Sequence, residues 1–448
     1  MHGCVPSALR GHYIRYDTPV TWLNAVSLVG LVALGALAWL AGGCRRPVPW
    51  RTIVGASALM LLLGIVVFWL PPTRTALVAI NDLVLALLSG SAAGAEFLFG
   101  PLAAGPGSTS SAGEPSVGFV LAAQVLPAVI FFAALMALLY HLRLIQPVVR
   151  VFARAFHRTL GLSGAEALSG AANIFFGVEA TTAVRPFLER MTRSELLMLL
   201  ACGMANAAST TLAVYVLFLR DTFPQIAGHL VSASVISIPA AALASKLMLP
   251  ETERPETLGV VPALDEGERD GSSMAALARG AWDGLRLAAG IATLLIAVLG
   301  LVAIFDLALA RVSGLFGASI GLRDLLGWLF TPLVALLGIE GGDLREAGRL
   351  LGERAVLTEI PAYRDLAELA RSGAVSPRTL LVLSYALCGF AHVASMGIFV
   401  GGVAALAPSR RDDLAAVGPR ALVAATIATL MTGALAGLFY HGQRGVLG

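Results

Sequence analysis

Long uncharged apolar runs recur along the whole chain. Trp22 to Ala41 and Thr52 to Leu70 carry no charged residue, and a helix needs roughly 20 apolar residues to cross a bilayer. The pattern predicts spans near 22–41, 52–71, 117–140, 195–219, 226–248, 284–309, 378–405 and 420–440. The apolar stretch 75–99 is interrupted by Asp82 and Glu96 and reads as lying partly in the interface. In 143–158, Arg143, Arg150 and Arg154 form one stripe, and Leu144, Val148, Phe152 and Phe156 form another, repeating every four residues. The two stripes fit a helix in the inner membrane interface, or an ordinary helix extension into the cytosol.

Two segments are too irregular for a single span. Residues 160–187 contain Gly161, Gly164, Gly170, Gly177 and Pro186, and residues 341–371 contain Gly341, Gly342, Gly348, Gly352 and Pro361. Each reads as a re-entrant hairpin of two half-helices. Freed backbone at such breaks must line a cavity or pack on protein, and half-helix N-termini favour polar ligands.

Composition agrees. Of 448 residues, 57% are hydrophobic and 13% charged, with mean hydropathy +0.81; soluble domains carry roughly 25% charged residues. Many helices are implied, which excludes a soluble domain with one anchor. The net charge of +3 carries no signal for a nucleic-acid partner, and Lys246 is the only lysine. Cys4, Cys44, Cys202 and Cys388 form no CxxC pair, so no metal or redox framework is expected. The first twenty residues lack a signal-peptide core, so insertion is expected to start with the first span. No Ser/His/Asp order, zinc spacing or Walker loop stands out, so the chain is expected not to be an enzyme and to need no cofactor.

Arginine placement orients the chain. Arg45, Arg46 and Arg51 follow the first span, Arg143 to Arg158 follow the third, and 100–116 has no Lys or Arg. The first loop is then cytoplasmic and the N-terminus external. By the same count 340–378 is external, yet it holds several arginines, which fits a folded hairpin. The expected divisions are 1–116, N-terminal spans with a peripheral segment; 117–250, a first half containing hairpin 160–187; 251–277, a cytoplasmic linker; and 278–448, a second half containing hairpin 341–371.

An internal repeat points to mechanism. Cys202-Gly203-Met204-Ala205-Asn206-Ala207-Ala208-Ser209 and Cys388-Gly389-Phe390-Ala391-His392-Val393-Ala394-Ser395 share five of eight positions at an offset of 186. Upstream of each lies a Glu in an apolar stretch, Glu179 and Glu359. Span counting orients the two units oppositely. An inverted repeat is a transporter signature, because two equivalent arrangements facing opposite sides permit alternating access. The competing explanation is chance recurrence of small residues in helix interfaces.

A carboxylate at membrane depth costs roughly 2.5–3.5 kcal/mol, so Glu179 and Glu359 need compensation. Paired hydroxyls of a polar solute would supply it; so would Arg185 or Arg354. Asn173 and Asn206, with freed backbone carbonyls, suit a small hard cation or serve as interhelical hydrogen-bond partners. His392 is placed to donate to a hydroxyl or exchange protons, or to make a plain polar contact. Phe390 is placed to stack on a ring, or simply to pack.

From about Phe119 to Tyr440 the sequence resembles the concentrative nucleoside transporter family. Val125-Leu126-Pro127 with Ile130-Phe131-Phe132 is similar to its third span, and Ser163-Gly164-Ala165-Glu166 through Ala172-Asn173-Ile174-Phe175 to its first hairpin. Arg185-Pro186 and Met191-Thr192-Arg193-Ser194-Glu195-Leu196 are similar to the turn that follows. Ser232-Ala233-Ser234 through Ser245-Lys246-Leu247-Met248 is similar to the fifth span, and Tyr385-Ala386-Leu387-Cys388-Gly389-Phe390-Ala391 to the seventh.

The resemblance implies an all-α polytopic membrane protein. About eight transmembrane helices and two re-entrant hairpins would form an inverted repeat, assembled as a homotrimer in the inner (plasma) membrane. It implies cation-coupled nucleoside uptake, with sodium or protons. By resemblance the base meets Val178 and Glu179, with Phe390 beside it, and the ribose meets Glu359, His392 and Ser395. A sodium ion would take Asn173, the Phe176 carbonyl, Asn206 and the Ala207 carbonyl. Three departures stand out: Gly177-Val178-Glu179 replaces the family's Gly-Gln-Thr-Glu, Thr358 replaces an Asn, and His392 replaces another. The expectation is an inward nucleoside:cation symporter. The alternatives are a symporter of another small polar solute, and a membrane gate or assembly protein without transport.

Overall fold

The computed structural model describes residues 21–105, 108–109, 113–262, 271–314 and 321–442; the side chains of 71–74, 77, 178, 179, 294 and 298 lie outside that description. Among the described residues the chain is nearly all helical and has no strand. In order the α-helices are α1 Trp22–Ala41, α2 Trp50–Trp69, α3 Pro71–Phe99, α4 Leu121–Gln124, α5 Leu126–His141, α6 Gln146–Leu160, α7 Gly164–Asn173, α8 Arg193–Ala205 and α9 Ser209–Leu219. They continue as α10 Ile226–Met248, α11 Ser273–Gly314, α12 Leu322–Ala335, α13 Leu344–Val356, α14 Glu359–Arg371, α15 Pro377–Ala386, α16 Val393–Leu406 and α17 Arg411–Phe439.

Among the described residues, eight helical stretches are long and apolar enough to cross a membrane. The number matches the expectation but two members differ. Val78–Ala103 qualifies, because α3 runs unbroken through Asp82 and Glu96 and two carboxylates leave it strongly apolar. Segment 378–405 is instead two helices, α15 and α16, separated by non-helical residues 387–392. The expected span 195–219 breaks likewise, between α8 and α9, and at the second break the backbone is tightly packed. A Cβ on Gly389 would lie 2.7 Å from the Ala205 carbonyl oxygen and 2.8 Å from Thr429 Cγ2, so the backbone comes closer to its neighbours than a side chain would allow.

The two halves repeat the same order. The first is a helix (α5), an amphipathic helix (α6), a hairpin from α7 to Arg190, a broken helix (α8 and α9) and a long helix (α10). The second is α11, α12, the hairpin α13–α14, the broken helix α15 and α16, and α17. Both breaks overlap the octapeptides that match in sequence. Only the second hairpin consists of two α-helical limbs. The returning limb of the first, Val178–Arg190, is a 3-10 helix with Pro186 inside it, a residue that removes one N–H and clashes with the preceding turn of an α-helix.

Each half closes its corner with one buried cation. Lys246, at the end of α10, places Nζ 2.6 Å from Glu166 Oε1 and donates to Ser194 Oγ at 2.8 Å. This ties α7 and α8 together where both begin. Ser163 and Thr192 cap those helices through capping boxes, and Ser163 Oγ also donates to Glu195 Oε1 at 2.6 Å. The linker joins this corner: Gly164 N donates to Thr257 O at 3.0 Å and Ala165 N to Thr257 Oγ1 at 2.9 Å. In the second half Arg378, at the start of α15, donates to Gly338 O at 2.6 Å, Asn24 Oδ1 at 3.1 Å and Gly437 O at 2.9 Å.

Helix α1 measures the distance between these corners. Asn24, near its start, belongs to the Arg378 corner, while Gly42, just past its end, packs on Met248 beside Lys246. At 1.5 Å per residue the two are about 27 Å apart. The corners therefore sit at opposite faces of a bilayer-thick bundle, which is the geometry of an inverted repeat.

Candidate functional site

A cavity of 770 Å³ lies between the α5–α11 wall on one side and the hairpins with the helix breaks on the other. Its lining runs along α11 from the exposed Arg279, Asp283 and Arg286 to Ala297.

The second hairpin and the α15–α16 break bring Glu359, Phe390, His392 and Ser395 together on this cavity. Glu359 is the first residue of α14, where the helix N-terminus favours a carboxylate. It is 2% exposed. His392 caps α16: its Nδ1 accepts from Ser395 N–H at 3.2 Å. With Nδ1 accepting, a neutral ring carries its proton on Nε2, and Nε2 lies 3.2 Å from Glu359 Oε2. The approach is oblique, and Oε2 receives no aligned hydrogen bond among the described residues. Ser395 Oγ, in the first turn of α16, donates back into the break, toward Phe390 O and toward His392 O at 2.7 Å. It faces a solute mainly as an acceptor. The Phe390 ring stands edge-on to His392, with centroids 6.4 Å apart.

Neither arginine weighed as a partner for the carboxylates takes that role for Glu359. Arg354 is fully buried and donates to Ala386 O at 2.6 Å and Thr429 Oγ1 at 2.9 Å, while Arg185 is exposed. The only cationic or ionisable donor within ion-pair distance of Glu359 among the described residues is His392.

At the first hairpin, Asn173 ends α7. Its Nδ2 donates to Ser169 O at 3.1 Å, and its Oδ1 is buried without a hydrogen-bond partner. Asn206, in the α8–α9 break, donates from Nδ2 to Asn173 O, and its Oδ1 accepts from Ala207 N at 3.0 Å. The two asparagines are thus in direct contact, with Ala207 adjoining. Phe176 lines the cavity three residues past Asn173. The side chains of Val178 and Glu179 lie outside the described residues.

Thr210 and Gln146 escaped the sequence reading, and Thr358 entered it only as a departure from the family pattern. Thr358 Oγ1 and Thr210 Oγ1 are buried without hydrogen-bond partners. Gln146 donates from Nε2 to Tyr140 O at 2.7 Å, which fixes the amide orientation and leaves Oε1 unpaired. The Tyr140 ring meets Phe176 edge-on at 5.7 Å. Gln146 was detectable as the one uncharged polar residue in the buried stripe Gln146, Val149, Ala153, Phe156 and Leu160; the threonines carried no periodic signal.

Comparison with known proteins decides what this cavity belongs to. The families described as Na+ dependent nucleoside transporter N-terminus, nucleoside recognition, and Na+ dependent nucleoside transporter C-terminus match residues 29–102, 122–222 and 229–437. The nucleoside permease NupC of Helicobacter pylori is 32% identical over 419 residues, covering 92% of this chain and 97% of its own length. The chain belongs to the concentrative nucleoside transporter family. An uncharacterized transporter of Haemophilus influenzae is 35% identical over 92% of this chain and 97% of its own. Among solved structures, CNTnw in an inward-facing substrate-bound state superposes with a TM-score of 0.83 at 33% identity, covering 93% of this chain and 98% of that one. The protein is therefore a multi-pass nucleoside transporter of a Na+-dependent family, not an enzyme. The nucleoside-recognition match spans α5 through the α8–α9 break, so it includes the whole first hairpin.

Proposed function

We propose that this transporter carries nucleosides inward across the inner membrane by cation-coupled symport, alternating access between two faces. The observation that carries the reading is the Glu359 carboxylate: buried at the tip of hairpin 2, on the cavity, with Oε2 unpaired and the His392 N–H beside it. Vicinal ribose hydroxyls have the complement this site lacks, two donors for the carboxylate and an oxygen to accept from His392. Phe390 and Phe176 offer apolar ring surface for the base, and Val178 and Glu179 adjoin on the first hairpin.

Sodium is the favoured coupling ion. The matched family is Na+ dependent, and the unpaired Asn173 Oδ1, with Asn206 and the backbone carbonyls of Phe176 and Ala207, supplies the oxygen ligands a hard cation takes. A homotrimer in contact with membrane lipid, with no nucleic-acid partner, completes the reading. The test is uptake of labelled nucleosides into proteoliposomes under an imposed sodium gradient, a proton gradient or neither. Uptake driven by sodium alone is expected. Uptake driven by protons alone reassigns the ion, and no gradient-driven uptake of any nucleoside overturns the proposal.

A further inference from the structure

Helix α6 presents three faces. At 100° per residue, Val149, Ala153, Phe156 and Leu160 fall on one side and are buried against the protein. Arg150, Arg154 and Arg158 follow each other along a second side, all exposed. Val148, Val151 and Ala155 occupy the third, also exposed, with Val151 at 61%. Arg51, at the start of α2, lengthens the basic side, because its aliphatic stem packs beside Gly161 just past the end of α6.

No acidic residue occurs between positions 18 and 81 or between 115 and 165. The guanidinium groups of Arg51, Arg150, Arg154 and Arg158 have no hydrogen-bond or ion-pair partner among the described residues. Water alone would suit a basic flank, and acyl chains alone an apolar one. Side by side on a helix that follows the span Leu121–His141, they match the boundary of a leaflet. Valines meet chains there and guanidiniums meet phosphate oxygens, often in bidentate fashion. Positive charge without any interspersed acid favours anionic over zwitterionic headgroups.

We propose that the outer faces of α6, together with Arg51, form a binding surface for anionic phospholipids, and that its occupation steadies the base of the first hairpin. The coupling path is short. Helix α6 stops at Gly161, whose φ of 68° is left-handed and comfortable only for glycine. His157 Nδ1 lies 2.8 Å from Leu162 O, and the next residue, Ser163, caps α7. Four residues, 159–162, separate Arg158 from the hairpin's cap at Ser163.

The full chain, purified in micelles containing phosphatidylcholine, is titrated with phosphatidylglycerol. Retained lipid is read by mass spectrometry and the thermal midpoint is followed. Preferential retention of phosphatidylglycerol is expected, with a rise in midpoint that shrinks as salt is added. The triple variant Arg150→Gln, Arg154→Gln, Arg158→Gln should lose roughly fivefold of that preference per arginine, while its nucleoside uptake in phosphatidylcholine vesicles stays at the wild-type level. Should the triple variant not fold, Arg154→Gln alone carries the same expectation at one-third of the logarithmic effect. Equal preference in variant and wild type, or a wild-type preference indifferent to salt, overturns the proposal. So does an equal thermal shift from inorganic phosphate alone, which would make the surface a soluble-anion site.

Discussion

His392 Nε2 lies 3.2 Å from Glu359 Oε2, bridging the tip of hairpin 2 and the break between α15 and α16. The histidine does two tasks with one ring: Nδ1 closes the first turn of α16, and Nε2 presents a proton to the carboxylate. Its position fixes the orientation of the donor, because rotating the ring would cost the helix its cap. Asparagine would share both capacities, an oxygen for the cap and an N–H for the carboxylate.

Glu359→Gln should therefore weaken nucleoside binding without unfolding the protein. A hydrogen bond to a charged group is worth about 1.5–3 kcal/mol, so calorimetry should show affinity roughly tenfold to 150-fold lower. A dideoxynucleoside, lacking the ribose hydroxyl pair, should bind wild type and variant nearly alike. If the dideoxy compound suffers the same loss as the full nucleoside, Glu359 does not bind the ribose.

At the neighbouring position, His392→Asn should keep uptake within a few-fold of wild type, since asparagine is a good N-cap. His392→Leu removes cap and donor together. Loss of the cap alone costs about 0.5–2 kcal/mol, visible as a lower thermal midpoint, and uptake should fall at least tenfold. Equal uptake in both variants would separate the residue from transport.

The Lys246 corner gives a prediction about stability alone. Lys246→Met leaves Glu166, 1% exposed, without its counter-charge. Removing one partner of a buried pair costs about 3–5 kcal/mol, so the thermal midpoint should drop markedly. Adding Glu166→Gln should recover part of the loss; a double variant no better than the single would mean the pair is not coupled.

Gly389→Ala tests the close approach of the two breaks. Its methyl group would sit 2.7 Å from the Ala205 carbonyl oxygen, and such overpacking costs about 1–3 kcal/mol. Denaturation of the variant in lipid should show that loss, with uptake reduced because both breaks must shift to admit the methyl. An unchanged midpoint would show the contact to be soft.

Much of this was legible in the chain itself. The octapeptide match at offset 186 marked the two segments in which the helices break, although 195–219 and 378–405 were each expected as one unbroken span, and it singled out His392 and Ser395 in the second. The intramembrane glutamate upstream located the tip of hairpin 2. What the sequence could not supply was of two kinds. One was backbone geometry set by contacts distant along the chain: apolar periodicity read 378–405 as one span, because the Gly389–Ala205 approach is invisible without the neighbouring helix. The other was the polar content of the cavity wall. Thr210, Thr358 and Gln146 are ordinary residues until the fold leaves their oxygens buried and unpaired. The 3-10 limb at Val178–Arg190 lies between these cases, since Pro186 announced a disturbance without saying which.

Lys246 is also the only lysine among 448 residues, and its side chain is 6% exposed. The folded transporter thus has a single side-chain amine, sealed inside the joint that fastens α7, α8 and α10. The labelling rate of that one group by an amine-directed reagent becomes a clock for how often the joint comes apart. No engineered probe would be needed to compare its opening with and without nucleoside.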